Sequence, residues 1–364
     1  MTQLRRAIST AKFAAAIAKL AAASLFMLCI GSATCSAADY PQASISNGQI
    51  TAKIYLPDPV NGYYRSTRFD WSGALNSLEY KGHNYYGVWY DRVDPKVINW
   101  VWDGTDIVSG PCSALYGPVD EFQVPLGYDE AKPGGTFIKI GVGILRRTDG
   151  DYNRYRPYDV LNPGKWAVKK HKDSIEFQQE LSDPASGYAY VYRKTIRLEN
   201  GKPTMVIEHS LKNTGKKTIE SSVYNHNFVV LDHQPPGPDF TFRVPYQIKP
   251  MRPPDKNVIE VRGNEIAYLR PLSGKDEQAV LMQGFSDSAS DSASDSASDS
   301  QIVIENKKVG AGLKISTDRP LVRELLWSIR TVLAVEPYIA INVQPGAEFT
   351  WKNTVQYYTL PAGK

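Results

Sequence analysis

The chain has 364 residues, with 42 Lys and Arg against 38 Asp and Glu, three cysteines and five histidines. Its first 38 residues carry Arg5, Arg6, Lys12 and Lys19 and no acid, so taking these four from the 42 leaves 38 basic against 38 acidic side chains. A neutral remainder offers no electrostatic footprint to nucleic-acid phosphates or an anionic membrane surface, and with Cys29 and Cys35 gone Cys112 stands alone, which excludes an intrachain disulfide framework.

Residues 1–38 read as a signal peptide. A basic end precedes an uncharged run from Leu20 to Thr34, and Ser36 and Ala38 supply the small positions before a cut at Asp39. The run is too short and too rich in Ala, Ser and Thr for a comfortable membrane span. The expectation is therefore an exported protein, periplasmic or extracellular, with no membrane association after cleavage.

From there the periodicity is that of strands. Ile50, Ala52, Ile54 and Leu56 fall on one face of QITAKIYL, with Thr51, Lys53 and Tyr55 on the other. Asn200 and Gly201 separate YAYVYRKTIRLE from TMVIEHSL, a hairpin signal, and NTG at 213–215 turns the chain into TIESSVYNHNFVV. Near the end, Gln344, Pro345 and Gly346 divide PYIAINV from AEFTWKNTVQYY. No later stretch holds a 3.6-residue period, so the fold is predicted to be all-β, an antiparallel sandwich, in one domain over 39–364. The SDSA repeat at 286–300 has no apolar residue larger than Ala, and it reads as a disordered acidic loop. Its four aspartates lack the glycine turns of a calcium loop.

Between Tyr63 and Tyr90 lie Tyr63, Tyr64, Phe69, Trp71, Tyr80, Tyr85, Tyr86, Trp89 and Tyr90, interleaved with Arg65, Arg68 and Asp70. Rings with polar tips cover sugar C–H faces while Arg and Asp take hydroxyls, although any one ring is more simply core. Arg65, Arg68, Asp70 and Trp71 are thus candidate sugar contacts. Among the histidines, His209 is in register with Met205, Ile207 and Leu211 and reads as a core-facing ring with its bonds satisfied. His83 and His171 read as solvated. His226, between Asn225 and Asn227 near a strand end and followed by Asp232, His233 and Asp239, is the candidate for chemistry, with Asn225 and Asp239 as neighbouring contacts. Glu336 interrupts an apolar strand just before Pro337, where burial would raise its pKa toward base duty. Glu121 is a second acid of this kind, and either could instead sit in a rim salt bridge. There is no HExxH or paired-cysteine metal spacing, no GxSxG elbow and no Walker loop, and GGTFIKIGVG alternates like a strand rather than opening a helix. No metal and no cofactor are expected.

Three segments resemble the galactose mutarotase-like superfamily of aldose 1-epimerases. Residues 207–229 are similar to the family's strand, NTG turn and strand ending in a catalytic His, which aligns His226. Residues 333–358 resemble its closing segment, which places Glu336 at the catalytic base, and 73–87 resemble an early hairpin turning over a KG or DG pair. The resemblance implies a β-supersandwich with a sugar cleft, and anomer exchange in which Glu336 takes the anomeric hydroxyl proton and His226 supplies one to the ring oxygen. The family's further His in an HGG-type string has no counterpart here. Arg65, Arg68 and Glu121 are its nearest substitutes by order along the chain. The expected partner is a sugar or oligosaccharide; a noncatalytic carbohydrate-binding protein is the alternative, and a polysaccharide lyase or hydrolase a third reading.

Overall fold

Two large antiparallel sheets organise the chain, and the alternation in the sequence decides which face of each is buried. The computed structural model describes residues 40–285 and 300–361; the signal peptide expected at 1–38 and nearly all of the SDSA repeat lie outside them. Residues from Tyr40 onward form one compact unit. Among the described residues there is no α-helix, only a 3-10 turn at Leu231–His233.

The larger sheet has ten strands. Its centre is the hairpin Tyr188–Leu198 and Thr204–Asn213 followed by Glu348–Thr359 and Ala311–Thr317. The hairpin turns at Asn200–Gly201, where Gly201 takes φ 69°, a left-handed conformation that suits glycine. The second sheet runs Lys249–Pro250, Glu277–Gln283, Arg323–Ile329, Val332–Val343, Ile219–Val229 and Gly117–Phe122. Between the two pack Ile207, Phe242, Ile304, Leu313, Leu326, Leu333 and Val335, all essentially without exposed surface. Burying each such side chain contributes about 1.5–3 kcal/mol. At the amino end Ile50–Tyr55 pairs with Gln42–Ser46 and Leu75–Tyr80, and Ile50, Ala52 and Ile54 are buried as their alternation predicts.

The NTG and QPG turns do not close hairpins. Each passes the chain from one large sheet to the other, since Thr204–Asn213 and Glu348–Thr359 belong to the larger and Ile219–Val229 and Val332–Val343 to the smaller. Asn213 ties both corners together: its side-chain amide donates to Val343 O at 2.7 Å and Lys217 O at 2.8 Å, and its backbone N–H to Ala347 O at 2.9 Å. Ser300, counted with the repeat in the sequence, is buried, and its hydroxyl donates to Thr317 O at 2.7 Å.

Candidate active site

The site grows from the period-two geometry of the six-stranded sheet. Tyr224, His226 and Phe228 share one face of Ile219–Val229, and Tyr338 and Glu336 share the matching face of Val332–Val343. Tyr224 pairs with Tyr338 and Asn227 with Val335, a register that sets His226 opposite Glu336. Pro337 has no N–H for the ladder, and the pairing is interrupted there. On the next strand Leu325 pairs with Glu336 and Trp327 with Ala334, and beyond it Ala279 pairs with Trp327.

His226, Phe228, Glu336, Tyr338, Leu325, Trp327 and Ala279 line a cleft of about 220 Å3, with Trp89, Asn99, Ser113, Arg68, Arg154, Tyr155 and Glu277 completing its walls. That is smaller than the roughly 300–1,000 Å3 of drug-sized sites and on the scale of one sugar ring. His226 Nε2 lies 3.1 Å from Glu336 Oε1. Phe228 stacks on the imidazole at 3.7 Å between centroids and 10° between planes, and Phe69 and Trp327 meet it edge-on. Tyr338 Oη donates to Glu336 Oε2. Burial pushes the Glu336 carboxyl up to about 7, against the pull of the Tyr338 hydroxyl and of Arg68. Burial likewise drives His226 well below its ordinary value, and Arg68 adds to that effect. The charged form of each partner is therefore disfavoured.

Glu121 is the anchor of one wall rather than a lining group. It pairs with Tyr224 in the sheet and is fully buried, holding Arg68 Nε at 2.7 Å, Arg154 Nη1 at 3.3 Å and Lys139 Nζ at 3.7 Å, with the Tyr224 hydroxyl donating to it as well. Burial alone would raise its pKa, but Arg68, Lys139 and Arg154 outweigh that and hold it at about 2. Arg68 is engaged through all three guanidinium nitrogens, Nη1 donating to Ser113 Oγ and Nη2 to Tyr224 Oη, both at 3.1 Å. Arg154 is not: its side chain is 30% exposed and only Nη1 has partners, Glu121 and Tyr224.

Of the residues singled out in the sequence, His226, Glu336, Arg68 and Trp89 come together at this cleft, with Glu121 directly behind it. The others are placed elsewhere, for physical reasons. Asn225 is one residue from His226 and points to the opposite sheet face, where its amide donates to Asp120 Oδ1 at 2.9 Å. Asp70 is in that same inter-sheet cluster, 2.6 Å from Lys194 Nζ, which also lies 2.7 Å from Asp120. Trp71 is buried core, its indole N–H donating to Ser66 O at 2.8 Å. Arg65 is exposed, bonds to Val60 O and borders a separate groove with Tyr63 and Tyr90. Asp239 is exposed, and its carbonyl accepts from Lys307 N.

The remaining histidines also differ in part from expectation. His209 is buried as predicted, with Nε2 2.9 Å from Asp120 Oδ2, but its Nδ1 has no partner. His83 is half-buried rather than solvated, because Nδ1 meets Asp232 Oδ2 at 2.7 Å. His171 is exposed beside Glu176. Sequence reading passed over Arg154, Trp327, Phe228 and Tyr338. Phe228 and Tyr338 carried a signal, each standing two residues from His226 or Glu336 and so on the same face; Arg154 sits in an irregular loop and carried none.

No family model matches the sequence, and no curated protein matches it. Among solved structures the chain is similar to the Slr1438 protein of Synechocystis sp. PCC 6803, at 12% identity over 88% of this chain and 97% of that one, with a TM-score of 0.50. It is similar also to a galactose mutarotase-like protein from Lactobacillus casei ATCC 334, at 14% identity over 87% and 100% of the two chains and the same TM-score of 0.50. Likeness at such identities speaks to fold and leaves function to the site. The chain has the galactose mutarotase-like β-sandwich fold, at 12–14% identity to these two structures.

Proposed function

We propose that the protein is a cofactor-free, mutarotase-type epimerase that interconverts the anomers of an aldose, exported by its amino-terminal signal. The observation that carries this reading is the 3.1 Å approach of His226 Nε2 to Glu336 Oε1 at the floor of an aromatic-walled cleft. Anomer exchange needs one proton taken from the C1 hydroxyl and one given to the ring oxygen, with no net change in the catalyst. A pair that holds one proton satisfies this. Below pH 7 that proton rests on Glu336; transfer to the neighbouring imidazole creates the carboxylate and imidazolium.

Glu336 then takes the O1 proton as the C1–O5 bond breaks. The bond's electrons pass to O5, which receives the proton from His226 Nε2, and the O1–H pair becomes the aldehyde double bond. Rotation about C1–C2 and reclosure with the roles reversed gives the other anomer and returns the proton. Trp89 and Trp327 offer apolar faces to the sugar ring, while Asn99 and Ser113 offer polar groups for its hydroxyls.

The test is polarimetry on freshly dissolved α-anomers of several aldoses with purified protein. A rate of approach to equilibrium that rises in proportion to protein, and collapses for Glu336→Gln, supports the reading. No acceleration for any aldose that calorimetry shows to bind would leave a noncatalytic sugar-binding protein.

A further inference from the structure

The charges around the cleft do not balance. Arg68, Lys139 and Arg154 gather on the single carboxylate of Glu121. Burial and the two arginines lower the Lys139 ammonium only to about 8, so three cations face one anion at neutral pH. Below pH 7, where the Glu336–His226 pair holds its proton, it adds no compensating charge. Glu277, a second carboxylate on another wall, is held by the indole N–H groups of Trp327 at 2.7 Å and Trp100 at 3.4 Å and makes no ion pair with Arg154. Unpaired positive charge in a partly buried wall is costly unless an anion completes it.

Arg154 is where that anion would sit. Its Nη1 is tied to Glu121 and Tyr224, while Nε and Nη2 have no hydrogen-bond partner and the side chain lines the cleft, 30% exposed. Tyr155 backs the guanidinium, 5.7 Å from its carbon to the ring centroid. The Nε/Nη2 edge of an anchored guanidinium presents two parallel donors, the geometry that matches a carboxylate in bidentate fashion. The cleft volume of about 220 Å3 is on the scale of one sugar ring.

We infer that the cleft is built for an acidic monosaccharide, a hexuronate whose carboxylate is held by the free edge of Arg154. A carboxylate at C6 is nearly the size of the hydroxymethyl group it replaces, so it adds charge without adding volume; a phosphoryl group adds both. This inference rests on reading the cleft as a sugar site and names the substrate class for that site.

The experiment is isothermal titration of the whole protein with galacturonate and glucuronate, against galactose, glucose, glucose 6-phosphate and acetate. The expected result is a hexuronate bound about tenfold or more tightly than its neutral counterpart, with acetate weak and the preference shrinking as salt rises. Arg154→Gln should bring the ratio of acidic to neutral affinity toward one, and Arg154→Lys, which keeps the charge but not the fork, should retain part of it; circular dichroism checks that both variants fold. Equal affinity for acidic and neutral sugars, an undiminished ratio in Arg154→Gln, or tightest binding of the phosphate ester would overturn the inference. Because the readout is binding, hexuronate affinity without anomer exchange refutes the epimerase reading and leaves this one standing, whereas neutral-sugar turnover without acidic preference does the reverse.

Discussion

His226 and Glu336 occupy facing positions on neighbouring antiparallel strands, and the prolyl residue after Glu336 interrupts the ladder at the point where their side chains come within 3.1 Å. Desolvation pushes the two pKa values in opposite directions, the carboxyl up and the imidazole down. The pair therefore holds one mobile proton below about pH 7.

A pH profile follows from that single proton. Glu336 has its pKa raised to about 7, so the proton is present below pH 7 and lost as pH rises through it. Catalysed anomer exchange, corrected for the buffer rate, should fall on the alkaline side with a midpoint near 7. A rate that instead climbs through pH 7 would show Glu336 acting as a carboxylate without a proton-donating partner.

Tyr338 tunes that midpoint. Its hydroxyl donates to Glu336 and stabilises the ionised form, opposing the rise caused by burial. Tyr338→Phe removes the donor and should move the alkaline limb upward by up to about one pH unit, the equivalent of one hydrogen bond of about 1 kcal/mol. An unmoved limb in the same pH–rate measurement would mean that this hydroxyl does not sense the catalytic carboxyl.

Two tryptophans should separate binding from stability. Trp327 lines the cleft, so Trp327→Ala should weaken sugar binding by about tenfold in calorimetry, the value of a lost ring face. Trp71 is buried and does not line the cleft, and Trp71→Ala should cost about 3–5 kcal/mol in chemical denaturation. The reversed pattern would place the sugar against the wrong ring.

Glu324 provides a pH-dependent stability test away from the cleft. It is fully buried on the opposite face of the strand that carries Leu325, and Tyr246 Oη donates to it at 2.6 Å. Burial raises its pKa from 4.5 to about 7, with the Tyr246 bond opposing. Its contribution to stability is therefore full below pH 4.5 and is lost as pH rises through about 7. Glu324→Gln should be more stable than the parent at pH 8, by up to about 3 kcal/mol, and close to it at pH 4. Equal denaturation midpoints at pH 8 would contradict this.

The strands were legible because they follow from alternation, and Glu336 because an acid in an apolar strand beside proline is unusual; its pairing with His226 came from the resemblance to the galactose mutarotase-like superfamily and not from any period. The same alternation explains the errors: Asn225 adjoins His226 in sequence and for that reason faces away from it, toward Asp120. Arg65 and Arg68 stand in an irregular segment with no period to separate the exposed one from the buried one. The inter-sheet cluster of Asp70, Asp120, Lys194 and His209 depends on contacts among four distant segments. Nothing local in the sequence announces those contacts. The NTG and QPG turns were legible as turns, but whether a turn closes a hairpin or changes sheets is decided by the pairing of its strands with others.

The central claim is that the Glu336–His226 pair exchanges anomers, and two-dimensional NMR exchange between α and β anomeric protons tests it most directly, with galacturonate, glucuronate and neutral aldoses in parallel. The account predicts cross-peaks that grow with protein concentration for at least one sugar class and fall by about 10²–10⁴ in Glu336→Gln and His226→Asn. Exchange no faster than in buffer for every sugar bound, or undiminished in both variants, would contradict it.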